Sequence, residues 1–178
     1  MTGPSSPPIL LPVVTIAAVL LQIIIAPHIA IGGVVPNIVL VAVVLVAMRS
    51  EVISATIVGF VLGLVFDLAT SGPVGGMSLV MALLSYGVSS FRKDIFQDNW
   101  VMQVIVLLLA AFAGELLHNV LYSIIGYDTD FLSSLLRRAL PGALYDSLVG
   151  LILFPILQHF ANASRKRQNA GLLKGKFD

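Results

Sequence analysis

The chain contains no cysteine, which excludes disulfide-bonded scaffolds and thiolate metal sites. It is also poor in charge, because only 11% of its 178 residues are Asp, Glu, Lys or Arg, against about 25% in an ordinary globular protein. Apolar residues make up 58% of the chain. Too few polar side chains are present to cover a surface in water, so the composition predicts a single integral membrane domain over residues 1–178.

Long apolar runs dominate the chain, and Gly, Pro or charged residues separate them. Such runs lack the polar alternation of a barrel strand, so in lipid only a helix can satisfy their backbone hydrogen bonds. No basic residue precedes the first run, as it would in a signal peptide, and we expect that run to remain as a helix. We predict an all-α membrane protein, a bundle of six transmembrane helices at residues 9–26, 34–48, 52–69, 74–91, 100–125 and 141–160.

Basic residues concentrate on one side of this topology. Six spans place both termini on the same side of the membrane, and eight of the ten Lys and Arg residues fall there. The positive-inside rule predicts that this side is cytoplasmic. Residues 162–178 form a basic cytoplasmic tail, expected to be flexible, which either binds anionic lipid or only anchors the topology. The eight residues are Arg49, Arg92, Lys93, Arg165, Lys166, Arg167, Lys174 and Lys176; the other two are Arg137 and Arg138.

The connection between the fifth and sixth spans has a pattern of its own. Asp128 or Asp130 can cap the start of a helix, and apolar residues follow at helical spacing. We expect a short amphipathic interfacial helix at the outer side of the membrane, with a plain loop as the alternative. Its apolar positions are Phe131, Leu132, Leu135, Leu136 and Leu140.

A few ionisable residues fall within the spans, where each costs about 2.5–3.5 kcal/mol near the bilayer centre. Glu115 lies about 22 Å along the fifth helix from Trp100, and Asp146 lies about 7.5 Å below Pro141 on the sixth. Both positions fall in the outer third of the membrane, at the level where Asp67 ends the third span. We predict an outer polar cluster in which arginines compensate the carboxylates, formed by Glu115, His118, Asn119, Arg137, Arg138 and Asp146.

Three interpretations of this cluster stay open: a structural network, a solute or proton pathway, and a catalytic or metal site. Glu115 and His118 share one helix face, as in carboxylate-bridged metal sites, but those sites need further Glu ligands that the chain lacks. The sequence also has no Gly-x-Ser-x-Gly, no His-Glu-x-x-His and no phosphate-binding glycine loop. We expect no enzyme activity, no catalytic residue, no metal and no cofactor.

The third and fourth spans carry the most informative motif. Gly59 and Gly63 put two positions without side chains on one helix face, and Asp67 follows on that face. A Gly- and Pro-rich turn then leads into the fourth span. The series Gly59-Phe60-x-x-Gly63-x-x-x-Asp67-Leu68, followed by Gly75, Leu79 and Tyr86, resembles the central signature of the rod-shape-determining protein MreD family. Pro36-Asn37, which opens the second span, is similar to the Pro-Asn or Pro-Asp that the family has ahead of its own helix, and the resemblance covers about residues 35–91.

The resemblance implies a non-enzymatic membrane scaffold of the bacterial cell-elongation machinery, in the cytoplasmic membrane. The implied partners are MreC, RodA and the elongation-specific penicillin-binding transpeptidase, with MreB contacted indirectly, together with membrane lipid and no nucleic acid. The implied fold is similar to the substrate-binding subunits of energy-coupling-factor vitamin transporters. The alternative function is therefore a six-helix solute-binding subunit of a transporter.

Each part of the signature has two interpretations. The glycine face packs either within the bundle or against MreC, and Pro36-Asn37 either starts the second helix or contacts a partner. The residues assigned to helix packing or partner binding, called the signature residues below, are Pro36, Asn37, Gly59, Phe60, Gly63, Asp67, Gly75, Leu79 and Tyr86.

Overall fold

The computed structural model describes residues 10–70, 73–91, 100–126, 131–153 and 155. Over these residues the chain is all-helical, apart from one isolated antiparallel bridge between Ile31 and Val34, and the predicted helical class is confirmed. The helices are α1 (Leu10–Ile24), a 3-10 turn (Ala26–Ile29), α2 (Ile38–Ala47), α3 (Val52–Ala69), α4 (Gly76–Ser90), α5 (Trp100–Ile124), α6 (Phe131–Ser134), a π-helical segment (Leu135–Ala139) and α7 (residues 140–153).

Most predicted helix bounds agree with the structure, and α3 agrees at both ends. The exception is α2, which begins at Ile38 although its apolar run begins at residue 34. The reason is a tight turn: Gly32 and Gly33 both adopt positive φ, and the backbone N–H and C=O groups of Ile31 and Val34 bond each other. The end of the predicted sixth span and the predicted basic tail lie outside the described residues, apart from residue 155.

Two described helices, Val52–Ala69 and Val101–Ile124, are long and apolar enough to cross a membrane. The helices α2 and α4 are apolar but shorter. Large apolar side chains also cover the outside of the bundle, as expected for a surface in contact with lipid rather than water. Those on α3 and α4 are Ile53, Ile57, Phe60, Val61, Val65, Leu68, Leu79, Leu83 and Tyr86.

The centre of the bundle is α2, all ten residues of which are buried. It packs against α1, α3, α4 and α5. Its length, about 15 Å, is half of the roughly 30 Å hydrocarbon thickness of a bilayer. Both of its ends therefore lie inside the bundle. Since no side chain within α2 is polar, the free N–H groups at its start need partners from elsewhere in the protein.

The predicted interfacial helix is not a separate element, because it continues into the last helix of the bundle. Residues 131–153 are helical without a break, through α6, the π-helical segment and α7. Pro141 lies two residues after the π-helical segment, and a wider turn accommodates a proline ring and its missing N–H. Leu132, Leu136 and Leu140 are exposed on this helix, in keeping with an apolar environment at its start.

Candidate functional site

The pair α3–α4 is the most extensive helix contact in the bundle, and two glycines bring the helices together. A Cβ at Gly59 would collide with Oγ of Ser85 and come within 2.6 Å of the backbone oxygen of Met81. A Cβ at Gly63 would collide with Cα of Ser78. The signature glycines therefore lie inside the bundle, where they allow α4 to approach at backbone distance.

Asp67 closes the same hairpin at its turn. The carboxylate is buried and accepts three backbone N–H groups, from Gly75 at 2.9 Å, Met77 at 3.0 Å and Ser78 at 3.0 Å. These donors lie at the start of α4, where the helix dipole also favours a negative charge. Gly75 adopts φ of +106°, a conformation that other residues rarely take. Both oxygens of Asp67 are thus engaged, and the turn geometry is fixed.

Other signature residues point out of the hairpin. Phe60, Leu79 and Tyr86 are 50%, 48% and 57% exposed. Leu79, Leu83 and Tyr86 follow one another at i, i+4 and i+7, so they form one stripe along α4. We call Phe60 and this stripe the hairpin face. The signature therefore divides into an inner set that locks two helices together and an outer set that is free to contact lipid or another helix.

A second polar arrangement surrounds the start of α2. Asn37 is the N-cap, and its Oδ1 accepts the N–H of Leu40 at 3.0 Å. Oε1 of Gln22, on α1, accepts the N–H of Ile38 at 2.7 Å, and its Nε2 donates to the backbone oxygen of Pro36 at 3.2 Å. Pro36 is buried just ahead of the cap. Side chains from outside α2 therefore supply partners for its free N–H groups.

The last helix completes this cap. Oδ1 of Asp146 accepts the N–H of Asn37 at 2.6 Å, and the Asp146 side chain is fully buried. Its other oxygen, Oδ2, has no hydrogen-bond partner among the described residues. Tyr145, beside it, donates to the backbone oxygen of Ile29 at 2.5 Å. Asp146 therefore binds the α2 cap through only one of its two oxygens.

Glu115 lies beside Asp146, between α5 and α7. A Cβ at Gly142 would lie 3.4 Å from Cδ of Glu115, and a Cβ at Gly150 would collide with Leu107. Gly142 and Gly150 of α7 thus face Glu115 and Leu107 of α5. The residue numbers rise on one helix as they fall on the other, so the two helices pack antiparallel. Side chains lean toward the N-terminus of their own helix, so those of Glu115 and Asp146 lean toward each other.

The rest of the predicted outer polar cluster is divided. His118 packs edge-on against Tyr122, with ring centroids 4.2 Å apart, and a Cβ at Gly76 would lie 3.8 Å from the Tyr122 ring. It therefore belongs with the hairpin turn. Oδ1 of Asn119 is buried without a partner among the described residues. Arg137 is exposed, and the side chain of Arg138 lies outside the described residues.

Gln22 is the functional residue that the sequence interpretation missed. Its signal was available, since it is the single residue with a side-chain amide in the first apolar run. The link between Asn37 and Asp146 joins residues 109 positions apart, and no local pattern reveals it.

Within the described residues, no group of three or more His, Asp or Glu side chains is arranged to hold a metal ion. The two polar arrangements consist of carboxylate and amide acceptors placed against backbone donors, a chemistry suited to fixing helices.

No curated protein and no solved structure matches the chain. The family model described as rod shape-determining protein MreD matches residues 6–164 of the 178, and the chain therefore belongs to the MreD family, the membrane proteins that take part in determining rod shape.

Proposed function

We propose that this protein is a non-enzymatic scaffold that binds the transmembrane helix of MreC on the hairpin face. In doing so it helps to link MreB filaments in the cytoplasm to RodA and the elongation-specific penicillin-binding transpeptidase. The observation that carries the proposal is the division of the signature, because Phe60 and Tyr86 belong to the motif and yet are 50% and 57% exposed among the described residues.

The hairpin face suits a helix as its ligand. In lipid, helices associate through van der Waals contact and shape, because lipid tails solvate apolar side chains as well as a partner does. A rigid surface therefore gains more from association than a mobile one, since less ordering is needed on binding. The backbone contact at Gly63 and the three N–H bonds of Asp67 supply that rigidity.

The proposed setting is the bacterial cytoplasmic membrane, with six spans and both termini in the cytoplasm. The apolar outer surface of the bundle and the two span-length helices support a multi-pass arrangement. The proposal keeps an interfacial position for the first turns of the helix at residues 131–153 and a fold similar to vitamin-transporter subunits. It also keeps the basic tail at 162–178, which binds anionic lipid or only anchors the topology.

The packing at the centre of the bundle favours the scaffold over the transporter subunit. A solute-binding subunit needs a roomy cavity lined by several converging polar or aromatic groups. Here α2 occupies the middle of the bundle, and every one of its side chains is apolar and buried.

Co-purification with MreC in mild detergent tests the proposal. We expect the double variant Phe60→Ala/Tyr86→Ala to retain its thermal stability and to lose most of the MreC that co-purifies with the wild type. The matched control is Leu144→Ala/Leu148→Ala, which removes apolar side chains of similar exposure from α7 and should retain MreC.

The same variants should be scored for restoration of rod shape in cells that lack the wild-type chain. Unchanged MreC binding and unchanged rod shape in the Phe60/Tyr86 variant would exclude the hairpin face. If an ATPase-linked transporter module co-purified in place of MreC, the solute-binding alternative would replace the scaffold.

A further inference from the structure

The region between α5 and α7 contains oxygens that accept hydrogen bonds but no described donor that serves them. Oδ2 of Asp146 is buried and unpartnered, as is Oδ1 of Asn119. Glu115 lies between them: it is one helical turn before Asn119 on α5, and it packs against Gly142, which is one turn before Asp146 on α7. Acceptors without donors in an apolar interior are costly, so this arrangement calls for a ligand that donates.

The ligand that fits is a proton. Two carboxylates that are close together in a medium of low dielectric constant cannot both be ionised, and one of them keeps its proton. Protonation also turns one acceptor into a donor, since a carboxylic acid has an O–H group that a neighbouring oxygen can accept. We propose that Glu115 and Asp146 form a proton-binding site that holds one proton in the folded protein. Water supplies the proton, an O–H bond forms on one carboxylate, and no other bond changes.

The other polar groups at this end of the bundle are occupied elsewhere. His118 packs edge-on against Tyr122, while both oxygens of Asp67 bind the start of α4. Tyr145 donates its hydroxyl to the backbone at residue 29. Gln22, from α1, is engaged at the α2 cap, and Arg137 is exposed. Among the described side chains, these leave Oδ2 of Asp146 without a hydrogen-bond donor.

Infrared spectroscopy of the purified full chain in lipid tests the proposal, because a protonated carboxyl has a C=O stretching band separate from that of a carboxylate. We expect the wild type at pH 7 to show one protonated, buried carboxyl per chain. Glu115→Gln and Asp146→Asn should each abolish the band, because the new amide supplies the missing donor and the remaining carboxylate ionises. Glu51→Gln changes an exposed carboxylate and should leave the band unchanged.

Isotope labelling keeps the test decisive if a variant fails to fold. Two samples of the wild-type protein are prepared, one with ¹³C at the carboxyl carbon of Glu and one with ¹³C at that of Asp. The C=O band of the protonated carboxyl should shift in at least one of the two samples. Absence of the band from the wild type, or its persistence in both single variants, would overturn the proposal. So would loss of the band when choline chloride is replaced by NaCl, because the site would then bind a metal cation in place of the proton.

Discussion

Two helices, α2 and α4, begin at the same end of the bundle, and a carboxylate from a different helix caps each of them. Asp67 caps α4 with both oxygens and accepts three N–H groups. Asp146 caps α2 with one oxygen and accepts one N–H group, while Gln22 and Asn37 provide the other bonds. The two aspartates are equally buried, so burial does not distinguish their roles.

The difference between the caps lies in the unused oxygen. A carboxylate with all of its acceptor positions engaged by one helix start acts only as a structural group. A carboxylate with a free, buried oxygen has capacity for a ligand. Asp146 has such an oxygen, and Glu115 packs against Gly142, one turn before Asp146. The comparison predicts that the same chemical change at the two caps has very different effects.

Asp67→Asn should have the largest effect. The amide keeps one acceptor oxygen, but its NH₂ group faces backbone N–H donors, so at least one charge-assisted bond is lost and a donor is buried unpaired. Bonds to charged groups contribute about 1.5–3 kcal/mol each, and the free energy of unfolding should fall by about 3 kcal/mol or more. Unfolding in mixed detergent micelles measures the change.

Glu51→Gln is the control for Asp67→Asn. Glu51 precedes α3, is exposed and makes no side-chain capping bond, so its neutralisation should change stability by less than about 0.5 kcal/mol. Equal effects of the two substitutions would show that charge alone, and not the bonds of Asp67, stabilises the hairpin.

Gly63→Ala should have the next largest effect. The added methyl group would collide with the backbone of Ser78, which cannot move as the end of a flexible side chain can. Overpacking of this kind costs about 1–3 kcal/mol. Gly87→Ala on α4 is the matched control, because nothing lies within 4 Å of its Cβ position. Stability should be measured for both variants in the same detergent, and equal losses would contradict the close approach at Gly63.

The helices were predictable because their causes are local. An apolar run bounded by Gly, Pro or charge specifies a helix by itself, and α3 was predicted at both ends. The glycine spacing on α3 also indicated a helix contact, although the partner helix was left open. The start of α2 was missed because its position depends on the positive-φ turn at Gly32 and Gly33, which interrupts an otherwise apolar run.

The polar contacts were only partly predictable, because tertiary packing decides which groups meet. Depth in the membrane predicts Glu115 and Asp146 at one level, and Glu115 packs against Gly142, one turn before Asp146. Depth gives no rotation about the helix axis, however, and His118 packs on Tyr122, whose ring lies near Gly76 at the hairpin turn, although His118 is close to Glu115 in sequence. For the same reason no pattern could pair Asn37 with Asp146.

Gln22→Ala tests the third component of the α2 cap. It removes the acceptor of the Ile38 N–H and the donor to the backbone oxygen of Pro36. A buried backbone group without a partner costs about 1–3 kcal/mol, and we expect a loss near the lower end because the site is only partly buried. Leu20→Ala, an exposed change on the same helix, is the control. Equal stability of the two variants would show that Gln22 contributes nothing to the cap.

Asp146→Asn should have the smallest effect, although it is the same substitution as the most damaging one. The amide retains an oxygen for the N–H of Asn37, and its NH₂ group replaces the unpartnered Oδ2 with a donor that can reach Glu115. The loss of negative charge at the start of α2 costs about 0.3–1 kcal/mol, and the hydrogen bond that the new N–H donor offers to Glu115 offsets it. The free energy of unfolding should therefore change by less than about 1 kcal/mol. A loss as large as that of Asp67→Asn would mean that Asp146 is a second fully engaged cap, and the distinction between the two helix starts would fail.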